Sequence, residues 1–386
     1  MDRFALIGAE IFDGTARHHD SAVLVEAGKT CAIARAAEVG ADWPMQRLGG
    51  GLLAPGFVDV QVNGGGGVLL NDRPTIDGIK RICDAHGRFG TTALLPTLIT
   101  DTPEVTEQAI ATICHAMKAG VSGCLGLHLE GPFLSPARHG AHDPDLMKLM
   151  NEADADQLLG LDIAPLLITL SPERISPSII RRLVDGGIIV SLGHSDATYD
   201  QVMAAVDAGA RGVTHLYNAM SPLTNRAPGL VGAALDSTDL WCGLIADGVH
   251  VHPAAIGVAL RSKRPPGRVF LVTDAMSTIG SDLQVIELNG RKVHRRGGAL
   301  MLEDGTLAGS DLDMMSAVRF MVQKADVALD EALRMASAYP AEFLGQSDIG
   351  RITPGARADL VHIDDALMAH ALWREGAPLP MRPQLA

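Results

Sequence analysis

Glu130, His194 and His215 are the residues from which chemistry can first be argued. Two imidazoles and a carboxylate form a donor set that binds a divalent metal such as zinc and leaves a position open. A cation held this way polarises a carbonyl and lowers the pKa of a water molecule, which is the chemistry of hydrolysis. A lone histidine is more often a hydrogen-bonded core or surface residue. Three such residues at neighbouring strand ends support the metal reading together. Asp274, in Val272-Thr-Asp274, can accept a proton from an attacking water and pass it to a leaving group. Alone it reads equally well as a helix N-cap; beside a metal set it reads as the base. His128 precedes Glu130 by two residues, so both side chains share one face of a strand. It is expected to brace the glutamate rather than to hold a second metal.

These residues need a frame that gathers them. Eight candidate strands lie near residues 56–62, 91–95, 123–129, 163–169, 187–193, 211–216, 242–247 and 268–273. They alternate with helical patterns that include residues 76–88, 103–119, 178–185 and 200–208. Several strands are apolar on both faces, as parallel strands covered by helices are. The pattern predicts an α/β fold, a (β/α)8 TIM-like barrel, with an open doubly wound sheet as the rival arrangement. In a barrel the C-terminal strand ends converge on one face, where active sites lie. Asp59-Val-Gln61-Val-Asn63, His128-Leu-Glu130, Ser191-Leu-Gly-His194, Thr214-His215-Leu-Tyr-Asn218, Asp247-Gly-Val-His250 and Asp274 all fall at such ends. Residues 1–53 and 355–386 carry short strand patterns instead. They are expected to pair into a small β-sandwich domain beside a barrel spanning residues 54–354.

Composition removes several classes of function. The 386 residues hold 32 Lys and Arg against 45 Asp and Glu, a net charge of −13, which repels a nucleic-acid backbone. Cys31, Cys83, Cys114, Cys124 and Cys242 form no C-x-x-C pair, so neither a disulfide framework nor a cysteine zinc site is expected. Cys124 and Cys242 read as core residues. No apolar run approaches the roughly 18 residues of a membrane span, and the N-terminus has no signal-peptide pattern, so a cytoplasmic protein is expected. Gly64-Gly-Gly-Gly67 lacks the Lys-Ser/Thr ending of a phosphate loop and reads as a turn. The basic runs at residues 261–266 and 291–296 read as solvated loops. Taken alone, Arg226 reads as an exposed surface arginine, although its guanidinium would suit a phosphate.

Pro55-Gly-Phe-Val-Asp-Val-Gln-Val-Asn-Gly64, His128-Leu-Glu-Gly-Pro-Phe133, Leu192-Gly-His-Ser195, His215-Leu-Tyr-Asn-Ala-Met220, Asp247-Gly-Val-His250, Thr273-Asp-Ala275, Leu307-Ala-Gly-Ser310 and Gly355-Ala-Arg-Ala-Asp-Leu-Val361 follow one another through nearly the whole chain. In that order they resemble the N-acetylglucosamine-6-phosphate deacetylases of the amidohydrolase superfamily. The resemblance implies a homodimeric metal-dependent hydrolase acting on the acetamide of an amino-sugar phosphate. It implies one divalent metal per subunit, zinc with iron as the alternative, held by Glu130, His194 and His215, with Asp274 as acid/base. It assigns substrate contacts to His142, Asn218, Ala219, Arg226, His250, Leu307, Ala308 and Gly309, with Arg226 serving the neighbouring subunit. Many superfamily members carry His-x-His on strand 1, holding a second metal. Gln61 and Asn63 replace those ligands here, and amides bind zinc poorly, so a one-metal site is expected. The galactosamine epimer is an alternative substrate, and a non-catalytic scaffold on the same fold is the alternative from another class.

Overall fold

The structure is a computed structural model that describes residues 3–380. The outermost residues of the expected terminal domain, 1–2 and 381–386, lie outside the described residues. Eight barrel strands, numbered β1 to β8 in chain order, are Phe57–Val62, Thr91–Ile99, Leu127–Glu130, Leu166–Leu170, Ile189–Leu192, Gly212–Val213, Trp241–Leu244 and Val269–Leu271. They pair in parallel in sequence order, and every residue of β1 and β2 is buried. Each strand falls within or overlaps its expected window. β3 starts later than expected, at Leu127, because Gly123 turns the chain with φ +91 and only a single bridge joins Cys124 to Leu94. The barrel closes between β1 and β8 through the Val62–Ala275 bridge and through Asp274 N–H to the Gln61 carbonyl at 2.9 Å.

The helices between strands start where the sequence supplies caps. Thr75, Thr102, Ser176 and Thr198 accept hydrogen bonds from first-turn amides, and Pro103 and Pro177 occupy the first turn. Such caps contribute about 1 kcal/mol each. The barrel interior has a polar layer one step below Glu130. The His128 Nδ1 lies 3.0 Å from the Val60 carbonyl and its Nε2 lies 2.8 Å from Thr169 Oγ1. The layer continues through Thr214 to Ser191. His128 therefore ties β3 to β1 and β4 and makes no hydrogen bond to Glu130, contrary to the bracing role expected of it. Burial lowers its pKa to about 4, so the ring is neutral.

The terminal segments form two sheets. One runs Lys29–Arg35, Ser21–Glu26, Arg3–Ile7, Met45–Arg47; the other runs Ala377–Leu379, Ala369–Arg374, Leu360–Ile363, Leu52–Pro55, Glu10–Phe12, Arg17–His18. Phe4, Leu6, Val23 and Val25 from the first meet Ile11, Leu53, Leu360 and Trp373 from the second in one apolar core. The strand Leu52–Pro55 belongs to this sandwich, two residues beyond the expected boundary, and Gly56 leads directly into β1. A Cβ at Gly56 would stand 2.3 Å from the Thr92 side chain, which is why the crossing residue is glycine.

A feature absent from the sequence reading follows β8. Val285–Leu288, Arg291–Arg296, Ala299–Leu302 and Leu307–Ser310 form a four-stranded antiparallel sheet. The basic run at 291–296 is one of its strands, not a solvated loop. Only Val293 of that strand is buried, so its polar face hid the pattern. Gly64–Gly65 likewise pairs with Val68–Leu69 in a short hairpin, the turn expected of the glycine run. Cys242 is in the core, but Cys124 is only half-buried. Among the described residues, no helix is long and apolar enough to cross a membrane.

Candidate active site

At the C-terminal face of the barrel, the ends of β3 and the turns after β5 and β6 bring Glu130, His194 and His215 together. Their ligand atoms lie within 4.8 Å of one another, and all three side chains are buried. Glu130 Oε1 lies 3.2 Å from His194 Nε2 and 3.0 Å from His215 Nε2, and the two Nε2 atoms are 3.0 Å apart. The Arg138 carbonyl is 2.9 Å from His194 Nδ1. A carbonyl only accepts, so the proton sits on Nδ1 and the Nε2 lone pair faces the cluster. Lone pairs converge here in excess of the protons available to separate them, an arrangement that suits a divalent cation. Burial opposes ionisation of Glu130, but the two histidines packed against it hold its carboxyl well below the usual range. Burial likewise opposes charging of His215, yet Glu130 raises it above its ordinary value.

Asp274 stands beside this cluster. Its Oδ1 accepts hydrogen bonds from Asn63 Nδ2 at 2.7 Å and Gln61 Nε2 at 3.1 Å. Gln61 Nε2 also lies 3.2 Å from both oxygens of Glu130. At the two positions where the wider superfamily resemblance would place metal ligands, these amides orient carboxylates instead. Burial, then the Glu130 charge, raises Asp274 to about 6. His194, His215 and Asp274 have φ values of +46, +33 and +53, in the left-handed region that ordinary residues avoid. Such strain gathers at functional sites, where the surroundings enforce it.

A cavity of about 430 Å³ opens onto these groups. Asn63, His142, Asn218, Ala219, His250, Leu307 and Gly309 line it. Gly309 has φ +64, and a Cβ there would stand 2.5 Å from Met276, so the close approach requires glycine. Two residues of the expected set, one of them expected to serve the neighbouring subunit, do not line it. Ala308 is buried in the apolar core under the extra sheet, because alternate residues of a strand face opposite ways. Arg226 is exposed and lies outside the cavity, on the loop following Ser221.

Burial lowers His142 to about 3, so it is neutral. Its Nδ1 lies 2.9 Å from the Thr100 hydroxyl oxygen and 3.4 Å from the Thr100 amide nitrogen. His250 Nδ1 lies 2.6 Å from Asp247 Oδ2, and Asp247 also takes the Val249 and His250 amides at 2.8 Å. Sequence reasoning gave no role to Thr100 or Asp247, nor to the loop residues His139 to Ala141 on the cavity wall. Asp247 carried a readable signal, three residues before His250 at a strand end. The others depend on a long loop folding back.

The family model named Amidohydrolase family matches residues 52–380. The chain belongs to the amidohydrolase family. It is 44% identical to an N-acetylgalactosamine-6-phosphate deacetylase of Shewanella sp. (strain ANA-3), over 92% of this chain and 90% of that protein. It is 40% identical to the N-acetylglucosamine-6-phosphate deacetylase of Homo sapiens, over 85% of this chain and 83% of that protein. The crystal structure of N-acetylglucosamine-6-phosphate deacetylase from Pasteurella multocida superposes with a TM-score of 0.94 at 33% identity, covering 97% and 99% of the two chains.

Proposed function

We propose that this chain hydrolyses the acetamide of N-acetyl-D-glucosamine 6-phosphate to D-glucosamine 6-phosphate and acetate. The observation that carries this reading is the placement of Asp274 beside the Glu130–His194–His215 cluster on one cavity wall. Those three residues would hold one divalent metal. The donor set suits zinc, with iron(II) the alternative. When bound, the cation supplies Lewis acidity toward the acetyl carbonyl and acidifies water. Asp274, aligned by Asn63 and Gln61, takes a proton from the attacking water. As the water oxygen bonds to the carbonyl carbon, His142, neutral and on the cavity wall, would steady the developing oxyanion through a ring N–H. The C–N bond then breaks, and Asp274 returns the proton to the departing nitrogen.

Asn218, Ala219, His250, Leu307 and Gly309 would contact the sugar phosphate. Arg226 would serve the site of a second subunit in a homodimer, a reading supported by its exposure and its distance from its own cavity. Free cysteines without disulfides, among the described residues, and a phosphorylated substrate suit a cytoplasmic setting. The galactosamine epimer is the second reading, favoured by the 44% identity to the Shewanella protein.

The test is acetate release from N-acetylglucosamine 6-phosphate, with the galactosamine epimer, the unphosphorylated sugar and a chelator-treated sample alongside. Release that needs both metal and phosphate is expected. Faster turnover of the galactosamine epimer would transfer the assignment to it. No release from either epimer, with metal bound, would overturn the reading.

A further inference from the structure

Strands β1 and β8 must join to close the barrel, yet a single isolated bridge pairs them, and β8 ends at Leu271, three residues before Asp274. Besides the main-chain hydrogen bonds of Asp274 to Gln61 and of Asn63 to Ala275, a side chain crosses this seam. Asp59 on β1 is completely buried and lines no part of the cavity. Its Oδ2 accepts the Thr273 hydroxyl at 2.6 Å, and its Oδ1 accepts the amides of Gln61 at 3.2 Å and Thr273 at 3.3 Å. The Thr273 hydroxyl oxygen in turn accepts the Ala275 amide at 3.3 Å. Ser310 completes the clamp: its hydroxyl donates to the Thr273 carbonyl and its amide donates to the Asp274 carbonyl at 2.8 Å. Both neighbours of Asp274 are therefore pinned, and the residue between them is held at φ +53.

Filling space does not explain a carboxylate here. Burying an ionisable group is costly unless it is satisfied, and branched apolar residues commonly fill barrel interiors. Asp59 gains its partners only from the segment that carries Asp274 and from the amide of Gln61, whose side chain also binds Asp274. We propose that Asp59, acting through the Thr273 hydroxyl, is a positioning residue that fixes the left-handed turn aiming the Asp274 carboxylate into the cavity. It touches neither substrate nor the residues that would hold metal. The inference rests on the acid/base role proposed for Asp274.

The experiment compares Thr273→Val, Thr273→Ser, Asp59→Asn and Asp274→Asn as full-length, metal-loaded proteins, with kcat, KM and bound metal measured for each. Displacing a reacting group by a fraction of an ångström to an ångström costs about 10- to 100-fold. Thr273→Val and Asp59→Asn should lose that much in kcat, with KM within about twofold and metal content unchanged. Thr273→Ser, which keeps the hydroxyl, should recover most of the rate. If the valine variant does not fold, the Asp59→Asn and Thr273→Ser pair gives the same comparison. A normal kcat in Thr273→Val or Asp59→Asn, a serine variant as slow as the valine one, or a loss confined to KM or metal content would overturn the proposal. Near-normal turnover by Asp274→Asn would instead overturn the acid/base reading beneath it.

Discussion

Asp274 is one of two buried carboxylates in this site, and its neighbours treat the two differently. Glu130 is buried against two histidines that favour its anion, whereas Asp274 is desolvated and sits near the Glu130 charge, which raises it to about 6. Environments that push two carboxylates apart in this way commonly separate their roles. A base must be unprotonated to act, so kcat should fall as pH drops through the pKa of Asp274. A bound cation adds positive charge nearby and pulls that pKa down. The acid limb of the kcat–pH profile should therefore have its midpoint no higher than about 6. A midpoint above neutrality would remove Asp274 as the group responsible.

Among the elements, the strand Ala369–Arg374 does more than complete the terminal sandwich. Arg374 is almost fully buried and reaches the N-terminal end of the barrel. There it donates to the carbonyls of Ser122 at 3.0 Å, Cys83 at 3.1 Å and Thr91 at 3.4 Å. Its nearest carboxylate, Asp84, is half exposed and 3.9 Å away, so main-chain dipoles satisfy most of this charge. Arg374→Ala would remove three hydrogen bonds and open a cavity, a loss of about 2–4 kcal/mol in stability. Urea or thermal unfolding measures it, and residual folded protein should keep its kcat because the site is at the opposite face. The extra sheet at residues 285–310 serves the other end, placing Leu288, Thr306 and Leu307 on the cavity wall.

For the whole molecule, the question is how a protein of net charge −13 accepts a phosphorylated sugar. The proposed homodimer answers it by bringing Arg226 to a neighbouring cavity. Complementation tests this directly. Arg226→Ala and Asp274→Asn should each be nearly inactive alone. Mixed after dissociation and reassociation, half the dimers are mixed and hold one complete site, restoring about a quarter of wild-type activity. No recovery in verified mixed dimers would confine each site to one chain.

Residue order alone carried the barrel and the metal-capable set. Parallel strands buried on both faces must be apolar throughout, so β1, β2 and β4 announced themselves, and chemistry-bearing residues at their ends could be gathered by topology. Glu130, His194, His215 and Asp274 were legible for that reason. What contacts at long range decide was not. The strand at 291–296 exposes charges on one face, so its pattern read as a loop. Ala308 and Gly309 are adjacent in sequence, yet strand alternation sends one into the core and the other to the cavity. Arg226 has the right chemistry but the wrong place within its own chain. The left-handed turns at His194, His215 and Asp274 leave no mark on the identity of those residues. Non-glycine residues adopt them only because partners distant in sequence, such as Asp59 with Thr273, hold the backbone there.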